Sequence, residues 1–386
     1  MGRRTGVLQA SPPVDLVEAV ATEAAGRAAT WFPELEHGPV RTRVVAGQAR
    51  ARCFLYRLAL DDGVARRLVV VKVRHSRPQL RMRDQHQDRP VLAPERTMPD
   101  RETARLEYEG LSRIVEAFST PDPRFGLLRP LAWIPDHAAI VMDLVEQPTL
   151  RTAALAASRL HPRRSRPVDE AAWRNVGAWL RTFQDRVPSA GLPARVESAA
   201  EVAGRYGDYA DFLRGRVGPS PLLATLRASA HELAEAALPT HLPLRTGHGD
   251  FVAHNMFVAP DSRITVFDPL PRWRVPAYQD LATLTVGLRV VPAQATSQGF
   301  ALPRHDLDRY EAALLQGYFG NEPVPLAAVR AFQLLVLLDR WAAMVSKQVT
   351  RGGVRPLVRV ARVRLGSMHH RREAERLHRE LVGLSG

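Results

Sequence analysis

The chain has 386 residues, which is long for one domain and enough to bury a large core, so two lobes are expected. Apolar and charged fractions of 45% and 24% are those of a globular protein and exclude wholesale disorder. A formal net charge of +14 would suit nucleic acid, an anionic membrane surface or an acidic substrate. Because no zinc-finger, RNA-binding or basic-zipper pattern accompanies it, no specific nucleic-acid partner is expected, and a general preference for arginine explains the charge most simply.

The cysteine content and the apolar runs bear on the compartment. Cys53 is the single cysteine, which excludes a disulfide within the chain and is typical of a reducing compartment. The opening MGRRTGVLQASPP has no apolar run behind its arginines, so no signal peptide is predicted. The longest apolar runs, such as Phe332–Leu338, are too short to span a bilayer. The expected location is therefore cytoplasmic.

The first part of the chain is predicted to be a helix followed by an antiparallel sheet. Apolar residues at helical spacing predict an opening helix over Val14–Trp31. A turn at 46–48 separates the first two of five runs that are typical of strands. The predicted strands cover Val40–Val45, Arg50–Leu60, Leu68–Val73, Leu127–Ala132 and Ala139–Val145.

Lys72 stands among valines in the third predicted strand, and it is the only lysine in the first 346 residues. An ammonium group between buried apolar side chains is costly unless it contacts anions. The lysine either faces inward and binds an anionic group, or faces outward from an edge strand. Its rarity in an arginine-rich chain favours the inward position, where a compact point charge serves better than a guanidinium.

Residues 74–101 form a basic insertion interrupted by prolines. Loops of this length are usually either functional or disordered. The insertion could cover a nucleotide or contact a polyanion, but a solvated insertion is the favoured interpretation.

A helix follows the insertion and offers a carboxylate that could pair with Lys72. Glu107 and Glu109 both lie on it, and Asp100 or Thr103 could cap its start. We choose Glu107, because it precedes the apolar Leu111 by four residues and so shares its helical face; Glu109 is the alternative.

From Thr149 onward the sequence is mainly helical, with the tryptophans more typical of core than of sugar-stacking surfaces. The stretch from Arg351 alternates arginines with valines and leucines, so it could touch anionic lipid weakly. A helix packed on the protein with solvated arginines is the favoured interpretation. The pair His369-His370 lacks metal-ligand spacing and is predicted to lie at the surface.

The segment from Thr246 to Leu281 carries the strongest chemical pattern. It contains His248-Gly249-Asp250, with Asn255 five residues after the aspartate, and Asp268 after a short predicted strand. In phosphoryl transfer, one carboxylate accepts the proton of the acceptor hydroxyl, while an asparagine and a second aspartate hold Mg²⁺ on the phosphates. Ligands that are all oxygen suit Mg²⁺.

These spacings resemble those of the aminoglycoside phosphotransferase family. The pattern HGDxxxxN, the following Phe267-Asp268-Pro269 and the later Tyr278-Gln279-Asp280-Leu281-Ala282 carry the resemblance. It implies an α+β, bilobal protein-kinase-like fold with an antiparallel-sheet N-terminal lobe over 1–145 and a mainly helical C-terminal lobe over 146–386.

The resemblance also implies roles for single residues. Asp250 would be the base or would orient the acceptor hydroxyl, His248 would hold the catalytic loop, and Asp280 would brace that loop from beneath. Asn255 and Asp268 would bind Mg²⁺. Lys72, supported by Glu107, would bind the α- and β-phosphates of the nucleotide. The remaining nucleotide-binding candidates are Gly47 near the phosphates, Met142 at the rear of the adenine pocket or in the core, and Leu144 at the adenine edge.

The predicted activity is ATP- and Mg²⁺-dependent transfer of a phosphoryl group to a hydroxyl of a small molecule, with GTP as an alternative donor. Arginines outnumber carboxylates after Pro269, which favours a neutral or anionic acceptor such as a sugar over a polycation. The alternatives are an aminoglycoside-type antibiotic kinase, or a catalytically silent kinase-like protein that binds acidic partners or membrane through its insertion and tail. A protein kinase is disfavoured because the sequence has no Asp-Phe-Gly followed by an Ala-Pro-Glu segment, and Pro269 occupies the turn instead.

Overall fold

The computed structural model describes residues 14–50, 52–75, 89–92, 98–161, 165–350 and 356–385, with the backbone alone for 15, 347–350, 356–362 and 385. The described residues form two compact units. The first unit contains the described residues up to 75, together with 98–116 and 127–146. The second unit contains residues 89–92 and 117–126, together with the described residues from 147 onward. Most of the predicted insertion 74–101, and the side chains at the start of the basic C-terminal stretch, lie outside the described residues.

The first unit is built on a five-stranded antiparallel sheet in the order β1-β2-β3-β5-β4, as predicted. The strands are β1 Arg41–Ala49, β2 Cys53–Asp61, β3 Arg66–Arg74, β4 Pro130–Ile134 and β5 Ala139–Asp143. Helix α1, Val14–Trp31, matches the predicted opening helix, and helix α2 covers Asp100–Ala117. Because β3 lies at the centre of the sheet, it is not the edge strand on which Lys72 could have faced solvent.

The two faces of β3 carry different side chains. Val69, Val71 and Val73 are buried in the core that the sheet shares with α1. Successive side chains in a strand alternate between faces, so Lys72 projects from the other face. Lys72 is only 3% exposed. The alternation of the valines around Lys72 therefore sets the sheet face from which its side chain projects.

The hairpin between β1 and β2 differs from its prediction. The predicted turn at 46–48 is wrong, because β1 continues through it with a bulge between Val44 and Ala46. Gly47 therefore lies inside a strand, paired with Tyr56, and the chain reverses only after Ala49. The bulge absorbs the extra residue and lets the pairing continue, so a glycine that is typical of a turn marks an irregular strand instead.

The second unit is mainly helical and contains two short antiparallel strand pairs, β6 with β9 and β7 with β8. Its strands are β6 Leu244–Thr246, β7 Met256–Val258, β8 Ile264–Val266 and β9 Arg274–Pro276. Its described helices are α3 Leu150–Ala156, α4 Glu170–Arg186, α5 Ala199–Val217, α6 Pro221–Ala237, α7 Tyr278–Arg289, α8 Pro292–Thr296, α9 Arg304–Phe319, α10 Leu326–Thr350 and α11 Pro356–Ser385. Trp173, Trp179 and Trp341 are buried in it, as core tryptophans should be.

The prediction that His369 and His370 lie at the surface is wrong. Both are buried on α11, and ring nitrogens of the pair lie 2.7 Å from the carbonyl oxygens of Arg289 and Gly366, respectively. Polar rings can be buried when backbone carbonyls satisfy them, which the sequence pattern around them does not reveal. Across the described residues, no helix combines the length and apolar character needed to cross a bilayer.

Candidate functional site

The loop that follows β6 carries the predicted catalytic residues of the second unit. It turns sharply at Gly249, whose φ of +88° lies in the left-handed region. The amide of Leu270 donates to the carbonyl oxygen of His248 at 2.7 Å, which ties this loop to the segment after β8. The same approach leaves no room for a side chain, since a Cβ on Gly249 would lie 2.3 Å from the carbonyl oxygen of Leu270.

Replacing Gly249 with alanine should therefore destabilise the protein and displace the loop. A left-handed backbone conformation costs an ordinary residue about 1–3 kcal/mol, before the backbone clash is added. We expect the free energy of unfolding, measured by denaturant titration, to fall by at least about 2 kcal/mol. The matched control is Gly215→Ala in α5, where an added Cβ meets no atom within 4 Å and the helix should gain about 0.5–1 kcal/mol. Equal stability of the two variants would contradict the prediction.

His248 is held among three aromatic rings. Its ring is fully buried, with ring centroids at 5.9 Å from Trp179, 5.8 Å from Phe183 and 5.5 Å from Phe251. Neither ring nitrogen has a hydrogen-bond partner among the described residues. Burial lowers the pKa of the imidazole to about 4, so the ring is neutral at physiological pH. The arrangement supports the structural role expected for His248.

Asp280 braces the loop from α7. Its Oδ2 accepts a hydrogen bond from the backbone N–H of His248 at 2.9 Å, and the side chain is buried. Burial raises the pKa of this carboxyl to about 6, while the hydrogen bond from His248 and the charge of Arg195 oppose the shift. The contact is the one that the sequence predicted for this aspartate.

Asn255 and Asp250 are joined directly. Asn255 ends a short 3-10 turn, Ala253–Asn255, and is buried, whereas Asp250 is exposed. The Nδ2 group of Asn255 donates to the carbonyl oxygen of Asp250 at 3.0 Å and to its Oδ2 at 2.9 Å. The spacing of five residues therefore positions one face of the Asp250 carboxylate, while the amide oxygen of Asn255 is the acceptor side of that group and could serve as a metal ligand.

Asp268 reaches the same loop through the β7–β8 hairpin. The N–H of Phe267 donates to the carbonyl oxygen of Asn255 at 3.0 Å. In the strand that precedes it, Val266 pairs with Met256, the residue after the 3-10 turn. Asp268 itself is half-buried and has a φ of +59°, an uncommon backbone conformation for aspartate. Its charge is close enough to act on the pKa values of His248 and His254. The hairpin thus brings together the residues predicted from the motif.

The chemistry of these donors fits Mg²⁺. Across the described residues, no group of three or more His, Cys, Asp or Glu side chains is placed to hold a metal ion. Mg²⁺ does not require such a group, because it usually takes one or two protein oxygens and completes its shell with water and phosphate. The amide oxygen of Asn255 and the carboxylate of Asp268 are oxygen donors of this kind, and the contacts of Nδ2 to Asp250 fix how the Asn255 amide is turned.

The first unit contains the predicted pair of Lys72 and Glu107. The ammonium of Lys72 donates to Glu107 Oε1 at 2.7 Å, and both side chains are buried. Arg74 binds the other carboxylate oxygen, with its Nε 3.0 Å from Glu107 Oε2. Glu109 points elsewhere and binds Arg105 on the same helix, so the choice of Glu107 is consistent with the structure.

The other nucleotide-binding candidates occupy different surroundings. Met142 is buried in β5 opposite Val70, on the sheet face from which Lys72 projects, and Leu144 is half-buried just beyond that strand. Gly47 pairs with Tyr56 inside β1 and therefore does not lie at the turn. The structure therefore removes the geometric reason for assigning Gly47 to the phosphates.

Sequence reasoning missed two features of these groups. Arg74 was treated only as the start of the insertion, although it stands two residues after Lys72 and therefore on the same strand face. The sequence also gives no indication that the rings of Trp179, Phe183 and Phe251 surround His248. The spacing of Trp179 and Phe183 on one helical face was a signal for a shared contact, but not for its partner.

Comparison with known proteins identifies the fold. No protein-family model matches the chain. No curated protein matches it either. Solved structures do, among them a choline kinase from Cryptosporidium parvum Iowa II, at 10% identity and a TM-score of 0.54 over 95% of this chain and 97% of the other.

Two further matches agree. A choline/ethanolamine kinase family protein from Mesorhizobium loti is 15% identical, with a TM-score of 0.51 over 94% of this chain and 98% of the other. A glucosamine kinase solved with glucosamine, ADP and inorganic phosphate is 18% identical, with a TM-score of 0.50 over 96% and 89%. A spectinomycin phosphotransferase and an aminoglycoside phosphotransferase from Alicyclobacillus acidocaldarius also match, at lower TM-scores of 0.45 and 0.48. At such low identities the likeness concerns the fold, and the chain has the bilobal protein-kinase-like fold shared by its structural neighbours, which are choline/ethanolamine kinases and aminoglycoside phosphotransferases.

Proposed function

We propose that the protein is a small-molecule kinase that transfers the γ-phosphoryl group of ATP to a hydroxyl group of its acceptor, with Mg²⁺ as cofactor and GTP as an alternative donor. The observation that carries the proposal is the loop in which Asn255 holds the exposed carboxylate of Asp250 at 2.9 Å. A carboxylate that is hydrogen-bonded on one side and exposed on the other can accept a hydrogen bond, or a proton, from a hydroxyl group of a substrate. The glucosamine kinase that shares this fold was solved with ADP and a small hydroxylated molecule, which supports the same type of reaction.

The residues of the chain divide the work of this reaction. Asp250 takes the proton of the acceptor hydroxyl, or orients that hydroxyl. The oxygen of the acceptor hydroxyl forms a bond to the γ-phosphorus. The bond from that phosphorus to the β–γ bridging oxygen breaks, and ADP leaves with the electron pair. Lys72 offsets negative charge on the α- and β-phosphates, and Glu107 keeps its ammonium in place at 2.7 Å. Asn255 and Asp268 would hold Mg²⁺, which when bound would neutralise further negative charge on the phosphates.

Two of the predicted residues act on the loop and not on the substrates. His248 lies among the three aromatic rings in its neutral form, and Asp280 holds its backbone at 2.9 Å. Together they fix the start of the loop, two residues before Asp250. In this proposal they are positioning residues, whereas Asp250 contacts the reacting hydroxyl.

The arginines after Pro269 do not by themselves indicate the charge of the acceptor. The count of arginines after Pro269 favoured a neutral or anionic acceptor, yet most of those arginines whose side chains the structure describes are paired with a carboxylate. Those with a carboxylate within 4.0 Å are Arg274, Arg289, Arg304, Arg309, Arg330, Arg371 and Arg376. Paired arginines say nothing about a ligand, so the bulk charge no longer bears on the acceptor.

Phosphoryl transfer itself is the test of this function. The protein is incubated with Mg²⁺ and ATP labelled at the γ-phosphate, in the presence of a pool of hydroxylated metabolites, and labelled esters are separated by mass spectrometry. We expect an ester with the wild type and none with Asp268→Ala. A folded protein that binds ATP and yields no ester with any hydroxylated compound would favour the catalytically silent binding protein instead.

A further inference from the structure

Arg74 belongs to a buried group of three charged side chains in the first unit. The ammonium of Lys72 lies 2.7 Å from Glu107 Oε1. The other oxygen, Oε2, accepts hydrogen bonds from Arg74 Nε, at 3.0 Å, and from its Nη2. The side chains of Lys72, Arg74 and Glu107 are 4%, 13% and 0% exposed. Each oxygen of one buried carboxylate is therefore bound by a different cation.

The sheet sets the position of Arg74. This residue ends β3, where it pairs with Cys53 of β2, and its backbone N–H donates to the carbonyl oxygen of Ala138 at 3.0 Å. Because Arg74 stands two residues after Lys72, its side chain projects from the same face of the strand. The contacts with Glu107 thus join two regular elements, β3 and α2, and do not depend on the conformation of a loop.

Arg74 differs from the other arginines in the strands of this sheet. Those residues are all exposed, and they are Arg41, Arg43, Arg57, Arg66 and Arg67. A buried ionic group gains little net stability over apolar side chains of the same size, because desolvation offsets the attraction between its charges. A third charge buried beside Lys72 and Glu107 is therefore better explained by the binding of an ionic ligand than by stability.

The charges of the group explain what the third member adds. The three side chains together carry one positive charge, whereas a lysine paired with one glutamate carries none. When an ammonium binds phosphate oxygens, it shares its charge with them and binds its carboxylate partner less strongly. Loss of the only counter-ion of a buried carboxylate is strongly destabilising. With Arg74 on Oε2, Glu107 keeps a counter-ion of its own while Lys72 binds an anion.

We propose, on the basis of the kinase function proposed above, that Arg74 is a positioning residue of the nucleotide site, which neutralises Glu107 so that the charge of Lys72 remains available to the phosphates. Arg74 acts through Glu107 and does not contact the nucleotide itself. A guanidinium suits this role because it is always charged and is more weakly hydrated than an ammonium, so it is the more readily buried of the two.

The test compares the binding of adenosine and of ADP to the full-length protein by calorimetry, so that binding is separated from turnover. Arg74→Gln keeps a hydrogen-bonding side chain beside Glu107 and removes the charge. We expect its affinity for ADP to fall about tenfold, the effect of losing one charge-assisted hydrogen bond, and its affinity for adenosine, which has no phosphate, to stay unchanged. An equal loss for both ligands would overturn the proposal, because it would indicate a general disturbance of the first unit.

Two further variants assign the effect to the charge of Arg74. Arg74→Lys restores a cation at this position and should recover part of the affinity for ADP. Arg57→Gln is the matched control, because Arg57 is an exposed arginine on the neighbouring strand β2, and it should bind both ligands as the wild type does. Affinity for ADP as low in Arg74→Lys as in Arg74→Gln would contradict a role that depends on charge.

A double variant tests whether Arg74 acts through Lys72. In a Lys72→Gln background, Arg74→Gln should weaken ADP binding by less than about threefold, because the ammonium that benefits from Arg74 is already gone. Independent contributions would instead add in full. Additive losses would show that Arg74 acts on the phosphates by itself, which would overturn the proposal.

The outcomes also separate this inference from the kinase function. Unchanged ADP affinity in Arg74→Gln, or a wild type that binds no ADP, would overturn the role of Arg74. Ester formation from labelled ATP in a protein whose ADP affinity is independent of Arg74 would leave the kinase function standing alone. Arg74-dependent binding of ADP in a protein that transfers no phosphate to any hydroxylated compound would do the opposite.

Discussion

Asp250→Asn should reduce the rate of phosphoryl transfer by about 10²–10⁴-fold, the usual contribution of a positioned general base. Asparagine has nearly the same shape and keeps an oxygen for the hydrogen bond from Asn255, which measures 2.9 Å in the wild type. It cannot take up the proton of the acceptor hydroxyl. The rate is measured as ADP release in the presence of the acceptor identified by ester formation.

Affinity for ATP should change little in this variant, because Asp250 acts on the acceptor and not on the phosphates. The matched control is Asp261→Asn, at an exposed turn residue of the β7–β8 hairpin, which should retain wild-type turnover. Wild-type turnover in Asp250→Asn would show that this carboxylate neither accepts the proton nor orients the hydroxyl. A parallel loss of ATP affinity would indicate a wider disturbance of the loop.

Glu107→Ala should destabilise the protein by about 3–5 kcal/mol, the range measured when one partner of a buried ion pair is removed. Glu107 is fully buried and is shared by Lys72, at 2.7 Å, and Arg74. Without it, two cations on one face of the sheet lose the carboxylate that they have in common. The free energy of unfolding is measured by denaturant titration at low and high salt.

Glu109→Ala is the control on the same helix. Glu109 binds Arg105 four residues earlier, and pairs of this kind on a helix surface contribute about 0.3–0.5 kcal/mol. The loss in Glu107→Ala should also persist at high salt, because buried charges are screened less than exposed ones. Similar small losses in both variants would contradict the picture of a buried, shared carboxylate.

The sequence predicted the parts of the fold and site that depend on local pattern. Alternating valines placed Lys72 on a buried strand face, and the helical spacing from Glu107 to Leu111 identified its partner. The spacing of Asp250 and Asn255 matches a direct contact, because the side chain of Asn255, five residues on, donates a hydrogen bond back to the carbonyl oxygen of Asp250. In each case the neighbours in space are also neighbours in the sequence, or share a regular element.

The sequence could not predict features that depend on distant partners. Arg309 is paired with Glu170, which lies 139 residues earlier, whereas Arg340 has no carboxylate partner in the part of the chain that the structure describes, although both are arginines on amphipathic helices. Their difference depends on packing between helices, which residue spacing does not encode. The predicted turn at Gly47 is wrong for a related reason. The bulge in β1 extends strand pairing through a glycine that is typical of a turn.

The central claim is that Asp268 and its hairpin hold the metal-bound phosphates of a nucleotide, and calorimetric binding of ATP with and without Mg²⁺ tests it most directly. We predict that the wild type binds ATP much more tightly with Mg²⁺, and that Asp268→Ala loses this dependence while Asp261→Ala, at the exposed turn of the same hairpin, retains it. ATP binding that is independent of Mg²⁺, or a Mg²⁺ dependence that survives in Asp268→Ala, would contradict the account.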